Sequence, residues 1–336
     1  MKLQRGWRPW RIKPSDRLEA ALEGVIRAQP ADTLVGAMLA YHFGYIDGEP
    51  ARRGKRLRPR LLLAVAQECG ASLEDAIDAA VAVELLHNYS LIHDDIEDGD
   101  RFRHGRETLW AKFGVAQAIN AGDALCALSF LALINGARRF PPERMTKMVE
   151  RLHLAHLAMC HGQSLDIAFE SQDIVPAARY LEMISGKTAA LFAVSCELAA
   201  MCAGRGEEEI RRYRGLGAAF GIAFQMYDDA LGVWADQQST GKTAGSDIAR
   251  RKKTYPIVWA LQGPPAPERS FIAQAYAGQG EMPPDTIAGV ISALNSLGAR
   301  EAARFAAAKH LAVVERAPSG QVRDFLLQLI PTTTPS

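Results

Sequence analysis

Wherever the apolar residues of this chain recur, they recur with the period of a helix, and this restricts the fold more than any other feature. The windows Ser15 to Ala28, Leu57 to Glu68, Leu73 to Leu91, Ala116 to Asn135, Arg144 to Ile167, Val175 to Ala203, Glu207 to Leu231 and Asp285 to Val314 all place them at i, i+3, i+4 and i+7. Alanine is abundant in these windows and β-branched residues are dispersed, which favours helix over strand. No alternating run bounded by turn residues makes a sheet. The breaks are short: Gly70-Ala71-Ser72, Phe140-Pro141-Pro142, Gly204-Arg205-Gly206, Gly263-Pro264-Pro265 and Pro283-Pro284. None is a linker, so the expectation is one all-α domain over residues 1–336, with an N-terminal arm at 1–14 and a flexible tail at 331–336. Two polar segments, Gly99 to Arg106 and Gln237 to Lys253, read as loops.

Composition removes several classes of function. With 48% apolar residues and a net charge of +1, the chain is neither disordered nor built to bind nucleic acid through bulk charge. Its best uninterrupted apolar run, Ala124 to Ile134, is too short to span a bilayer. The basic N-terminal segment, with Trp7 and Trp10, has no apolar core of signal-peptide length and reads as an arm packed on the body or on a partner subunit. Five cysteines (Cys69, Cys126, Cys160, Cys196 and Cys202) are few and odd in number, as expected of reduced thiols in the cytoplasm.

The chemistry concentrates in two acidic motifs. His93-Asp94-Asp95-Ile96-Glu97-Asp98 closes an apolar helix, and Asp94 and Asp98 are four positions apart, about 40° around the axis and roughly 6 Å along it. Two carboxylates so placed can share hard divalent cations completed by water and phosphate, the usual way of holding Mg²⁺. Short acidic runs are common on surfaces, but acids at a helix C-terminus oppose the macrodipole and have little structural purpose there. A second pair, Asp228-Asp229, follows Phe224-Gln225-Met226-Tyr227 and precedes a basic loop with Lys242, Arg250, Arg251, Lys252 and Lys253. Further cations cluster at Arg52, Arg53, Lys55, Arg56 and Arg58, and at Arg101, Arg103 and Arg106. Separate basic groups beside separate acidic groups suit two polyphosphate ligands, one held through metal and one directly.

In this order the residues resemble the trans-isoprenyl diphosphate synthases. The resemblance runs from about residue 50 to 260 through Gly54-Lys-Arg-Leu-Arg-Pro59, Glu84-Leu-Leu-His87, Leu91-Ile-His-Asp-Asp-Ile-Glu-Asp98, Gly122-Asp-Ala124, Gly162-Gln163, Gly186-Lys-Thr188, Phe224 to Asp229, Gly241-Lys242 and Lys252-Lys-Thr254. It implies a helical bundle around a central cavity, and a homodimer. It also implies that Asp94, Asp98 and Asp228 bind three Mg²⁺ holding an allylic diphosphate, which Arg103, Lys187, Gln225, Lys242 and Lys252 also contact. Lys55, Arg58, His87 and His104 would hold isopentenyl diphosphate, and Lys187, Thr188 and Gln225 would line the place where the allylic cation forms. The helical projection independently sets His87 about 20° from Asp94.

Two departures from the family stand out. His104 follows Arg103 where relatives have a second arginine, and Gly232 stands where many have a third aspartate. Tyr89 and Ser90, five and four residues before Asp94, resemble the pattern of geranylgeranyl (C20) synthases, with farnesyl (C15) or C25 products the neighbouring outcomes. A class I terpene cyclase is disfavoured by Lys55, Arg58 and His87, since a cyclase binds no second diphosphate. A non-catalytic synthase subunit is disfavoured by the intact first motif. His153, His156, Cys160 and His161 suggest a zinc set, but only three of them share a helix face, with no convincing fourth ligand nearby and no CxxC, so packing is the expected role.

Overall fold

The computed structural model describes residues 14–30, 32–46, 54–234, 245–278 and 280–330, and it is all-α as expected. Trp7, Trp10, Arg52, Arg53, Lys242 and the 331–336 tail lie outside the described residues. The chain divides into two compact units. One comprises 1–154 with 194–214, the other 155–193 with 215–336.

The first unit is built from α1 (Pro14–Arg27), α2 (Leu34–Phe43), α3 (Leu57–Glu68), α4 (Leu73–Glu97), α5 (Leu109–Phe113) and α6 (Val115–Ala137), with parts of α7 (Pro142–Glu170), α9 (Ala190–Cys202) and α10 (Glu207–Trp234). At the start of α4, Ser72 accepts the Asp75 backbone N–H, a side-chain cap where the sequence breaks at Gly70-Ala71-Ser72. Small residues seven apart on α6 let α4 approach antiparallel to it. A Cβ on Gly136 would meet Asp78 Cβ at 2.4 Å, Ser129 Oγ donates to the Ala82 carbonyl at 2.8 Å, and a Cβ on Gly122 would meet His93 Nε2 at 2.3 Å. Between α4 and α5 the expected loop carries a two-stranded ladder, β1 (Phe102–Arg103) with β2 (Arg106–Glu107), the one departure from pure helix among the described residues. His104 and Gly105, at φ 52° and 76°, form its two-residue turn, the backbone that matches strand twist in a tight hairpin.

In the second unit α8 (Ala177–Ile184) leads into a π-helical turn at Ser185–Ala189 and then α9, so the Val175 to Ala203 window is not one regular helix. Two glycines account for the turn. A Cβ on Gly162 of α7 would meet the Lys187 backbone nitrogen at 2.1 Å, and one on Gly186 would meet the Ala158 carbonyl oxygen at 2.5 Å. The Asp285 to Val314 window likewise resolves into two helices, Pro284–Leu297 and Ala299–Glu315, parted by Gly298 at φ 75°. The basic loop contains a short helix, Ser246–Ala249. Two apolar clusters fill this unit, one around Phe169, Tyr180, Ile184 and Met226, the other around Val233, Ile257, Ile272 and Leu294.

α6 and the run Ala177–Cys202 are each long and apolar enough to cross a bilayer by length and composition, beyond what the uninterrupted run suggested; 78% of the second is buried in the protein. All five cysteines are free.

Candidate active site

In the first unit the site begins at the strained entrance to α3. Arg56 has φ +50°, a left-handed conformation that costs a non-glycine residue about 1–2 kcal/mol. Two buried acids hold it there: Arg56 Nε donates to Glu19 Oε1 at 2.9 Å and Nη1 to Glu84 Oε1 at 2.7 Å. The network continues inward. Asn88 Nδ2 donates to Glu84 Oε1 at 3.0 Å, Asn88 Oδ1 lies 3.0 Å from His42 Nε2, and Tyr45 donates to Glu19 Oε2. Arg56, grouped by sequence with the cations open to a polyphosphate, is therefore committed to holding the backbone between Lys55 and Arg58.

Those two neighbours fare differently. Lys55 is exposed, whereas Arg58 Nη1 reaches 3.2 Å from His87 Nε2. Because arginine can only donate, His87 Nε2 accepts and its proton sits on Nδ1. Burial holds His87 well below the ordinary imidazole range, reinforced by Arg58, Arg103, Arg56 and His42. Burial also lowers Arg58 to about 10, against the pull of Glu84 and Asp94. His104, exposed at the hairpin turn, is lowered by partial burial and then by Arg103 and Lys55. The structure thus brings Arg58 and His87 into contact, with Lys55 and Arg103 near enough to act on His104.

The first acidic motif divides in two. Asp95 is 3% exposed and receives Arg103 Nε at 2.7 Å and Nη2 at 2.6 Å, while Asp94 and Asp98 are half-buried one turn apart. Burial raises the Asp95 carboxyl and Arg103 opposes that rise. With Asp95 answering Arg103, the Asp94 and Asp98 oxygens form a pair of hard donors that fits Mg²⁺ with water and phosphate completing its shell. Among the described residues no group of three or more His, Cys, Asp or Glu converges into a closed metal cage.

The second unit repeats the division. Asp228 is exposed, and Asp229 is buried under three donors: Tyr180 Oη at 2.6 Å, the Tyr255 N–H at 2.8 Å and Gln225 Nε2 at 2.8 Å. Burial pushes Asp229 up to about 7 despite those bonds. Gln225 Oε1 accepts from Thr188 Oγ1 at 2.6 Å, so both ends of its amide are engaged. Lys187, on the π turn, pairs with Asp166 at 2.5 Å. Lys252 is half-buried and its N–H donates to the Asp247 carbonyl at 2.9 Å.

Gly232 acquires a reason here. A Cβ at this position would lie 2.1 Å from Asp247 Oδ2, so the Asp247 carboxylate already occupies the space a side chain at 232 would need. Gly232→Asp, which restores the relatives' residue, is expected to destabilise the protein by about 1–3 kcal/mol through overpacking, before any like-charge repulsion. A variant with the parent's denaturant midpoint would show that Asp247 yields.

His42 gives a second test. Burial lowers its pKa to about 4, so below pH 6.5 the unfolded chain takes up a proton that the folded state refuses. Its contribution is complete above pH 6.5 and is lost as pH falls toward 4, by at most about 1.4 kcal/mol per pH unit. Denaturant unfolding of parent and His42→Gln from pH 7 to 4.5 should show the steeper loss in the parent. Parallel curves would contradict it.

Several functional-looking residues escaped the sequence: Glu84 as the partner of Arg56, Asn88 and His42 behind it, and Asp166 and Tyr180 in the second unit. The signal for Asn88 was present in its i, i+4 relation to Glu84. For the others the contacts are distant in sequence and leave no local trace. His153, from the rejected zinc set, stacks its ring on Phe130 with centroids 3.6 Å apart.

Residues 46–294 match the family model for polyprenyl synthetase. Over 248 residues the chain is 39% identical to a geranylgeranyl diphosphate synthase of Mycobacterium tuberculosis, covering 73% of this chain and 68% of that one. Over 238 residues it is 38% identical to a (2E,6E)-farnesyl diphosphate synthase of Mycobacterium bovis, covering 70% and 65%. The crystal structure of a polyprenyl synthetase from Streptomyces coelicolor A3(2) superposes with a TM-score of 0.83 at 33% identity, over 94% of this chain and 96% of that one.

Proposed function

Because the chain belongs to the polyprenyl synthetase family, we propose that it is a Mg²⁺-dependent prenyltransferase joining isopentenyl diphosphate to an allylic diphosphate, with geranylgeranyl diphosphate as its main product. The single observation that supports this most is the split of each acidic motif by burial, with Asp95 and Asp229 buried, Asp94 and Asp98 half-buried and Asp228 exposed. A purely structural acidic pair would have no reason to divide in the same way twice.

Bound Mg²⁺, three ions in this reading, would stabilise charge developing on the leaving diphosphate. The ligands would be Asp94, Asp98 and Asp228. Arg103, held by Asp95, and Lys187, Lys242 and Lys252 supply direct cationic contacts to the allylic diphosphate. In the resting protein Lys187 is neutralised by Asp166, so diphosphate competes with that carboxylate for the ammonium. The Thr188–Gln225 pair orients dipoles beside the reacting carbon, where preorganised groups act without reorganisation. Lys55, Arg58, His87 and His104 hold isopentenyl diphosphate. Neutral His87 contributes there through Arg58, whose Nη1 it orients.

Relatives carry both C20 and C15 names, so the C20 assignment rests on Tyr89 with Ser90 ahead of the uninterrupted motif. The exposed apolar side chains Ile119 and Leu131 on α6 and Leu154 on α7 suit burial against a second copy in a homodimer, with the enzyme in the cytoplasm. Incubating the purified protein with labelled isopentenyl diphosphate, each allylic starter and Mg²⁺, then sizing the products, tests the reading. A C20 diphosphate is expected. A cyclic hydrocarbon formed without isopentenyl diphosphate, or no turnover with any starter, would overturn it.

A further inference from the structure

One turn after Tyr89 on α4 sits a second ring whose seat is cut into α6. The Tyr89 and His93 ring centroids are 4.7 Å apart, with the planes tilted by 57°. The Nε2–Cδ2 edge of His93 rests on Gly122 so closely that a Cβ there would meet those atoms at 2.3 and 2.4 Å. His93 Nε2 is buried without a hydrogen-bond partner, and Asp123 Oδ1 stops 3.7 Å away, beyond bonding reach. A ring placed by hydrogen bonding would satisfy that nitrogen. This one is placed by shape.

α4 cannot slide to relieve the contact. Gly136 against Asp78 and Ser129 against Ala82 fix its register on α6 at two further points. The imidazole therefore fills a notch that only glycine leaves open, and it packs against the half-buried Tyr89 ring.

We propose that His93, seated on Gly122, is the positioning residue that fixes the Tyr89 ring and thereby the length at which a growing prenyl chain stops. The proposal rests on the reading of Tyr89 as the floor of the tail cavity. Without the imidazole behind it, the phenol ring gains rotamers that open the floor, and chains longer by five-carbon units are accommodated. Bond formation takes place at the diphosphate end, so the readout is which product leaves, whatever the rate.

The test compares product-length distributions for Tyr89→Ala, His93→Ala, His93→Phe, Gly122→Ala and the Tyr89→Ala/His93→Ala double variant. Tyr89→Ala and His93→Ala are each expected to lengthen the main product by at least one five-carbon unit. Gly122→Ala, whose methyl evicts the imidazole, shifts it too. His93→Phe keeps the parent product, because a ring of similar shape replaces one whose Nε2 had no partner. The double variant gives no longer product than Tyr89→Ala alone, since His93 acts through Tyr89. If Tyr89→Ala lengthens the product while His93→Ala and Gly122→Ala retain the parent distribution, the positioning role falls and the floor stands. If His93→Phe lengthens it as much as His93→Ala, shape is not what matters. If Tyr89→Ala changes nothing, the floor lies elsewhere and the proposal falls with it.

Discussion

Replacing Asp94 or Asp98 with alanine is expected to lower kcat by about 10³-fold or more while leaving the folded protein at least as stable as the parent. The rate estimate follows from what metal-held charge is worth at a leaving group. Several kcal/mol of transition-state stabilisation corresponds to about three decades at 1.36 kcal/mol each. The stability estimate follows from position. Both carboxylates lie in the last turn of α4 or at its cap, where negative charge opposes the helix dipole, so removing one relieves about 0.3–1 kcal/mol. Asp95→Ala should behave differently, because it strips a buried partner from Arg103 and costs stability as well as rate. Steady-state turnover with labelled isopentenyl diphosphate across a Mg²⁺ series, alongside thermal unfolding, separates the two patterns. Near-parental activity for Asp94→Ala or Asp98→Ala at saturating Mg²⁺ would end the assignment of these residues to the metal.

That contrast between neighbouring aspartates marks the boundary of what the sequence could say. The motif itself was legible because four acids at the end of an apolar helix have little structural purpose, and α3 was legible to the residue because one face of Leu57–Glu68 is consistently apolar. Which aspartate turns inward depends on Arg103, eight residues away on the first strand of a hairpin whose turn has positive φ at both residues. Nothing in the spacing announces that hairpin. α2 went unseen for a different reason: Leu34–Phe43 is apolar on nearly every side, and a helix without a polar face has no period to detect. The π turn at Ser185–Ala189 is invisible locally because its cause, the approach of Gly162 to Gly186, spans two helices. Gly232 reads as a loss at the second motif, but Asp247 stands in the space a side chain there would need. Apart from α2, periodicity located the helix, and a contact distant in sequence decided what its end does.

The same limit applies most sharply to Arg56, and the second large effect follows from it. Composition groups Arg56 with Lys55 and Arg58 in one cationic cluster, yet Arg56 and Glu84 are 8% and 4% exposed and bonded at 2.7 Å. Glu84→Ala is expected to destabilise the protein by about 3–5 kcal/mol, the cost of leaving a buried charge without its partner. Glu19 retains one bond to Arg56, which argues for the lower end of that range. The loss of a hydrogen bond to Asn88, on which His42 depends, argues for the upper. Glu84→Gln keeps an acceptor for Arg56 and removes only the charge, so it should fall between parent and Glu84→Ala. Function should follow geometry. Arg56 holds the backbone between Lys55 and Arg58 in its left-handed conformation, and once its anchor goes the KM for isopentenyl diphosphate should rise several-fold with kcat changed less. Denaturant midpoints for the three proteins, with KM for each substrate measured below the unfolding temperature, decide the matter. A Glu84→Ala protein within about 1 kcal/mol of the parent would mean that Arg56 finds water instead, and that the entrance to α3 is held by its packing rather than by its charges.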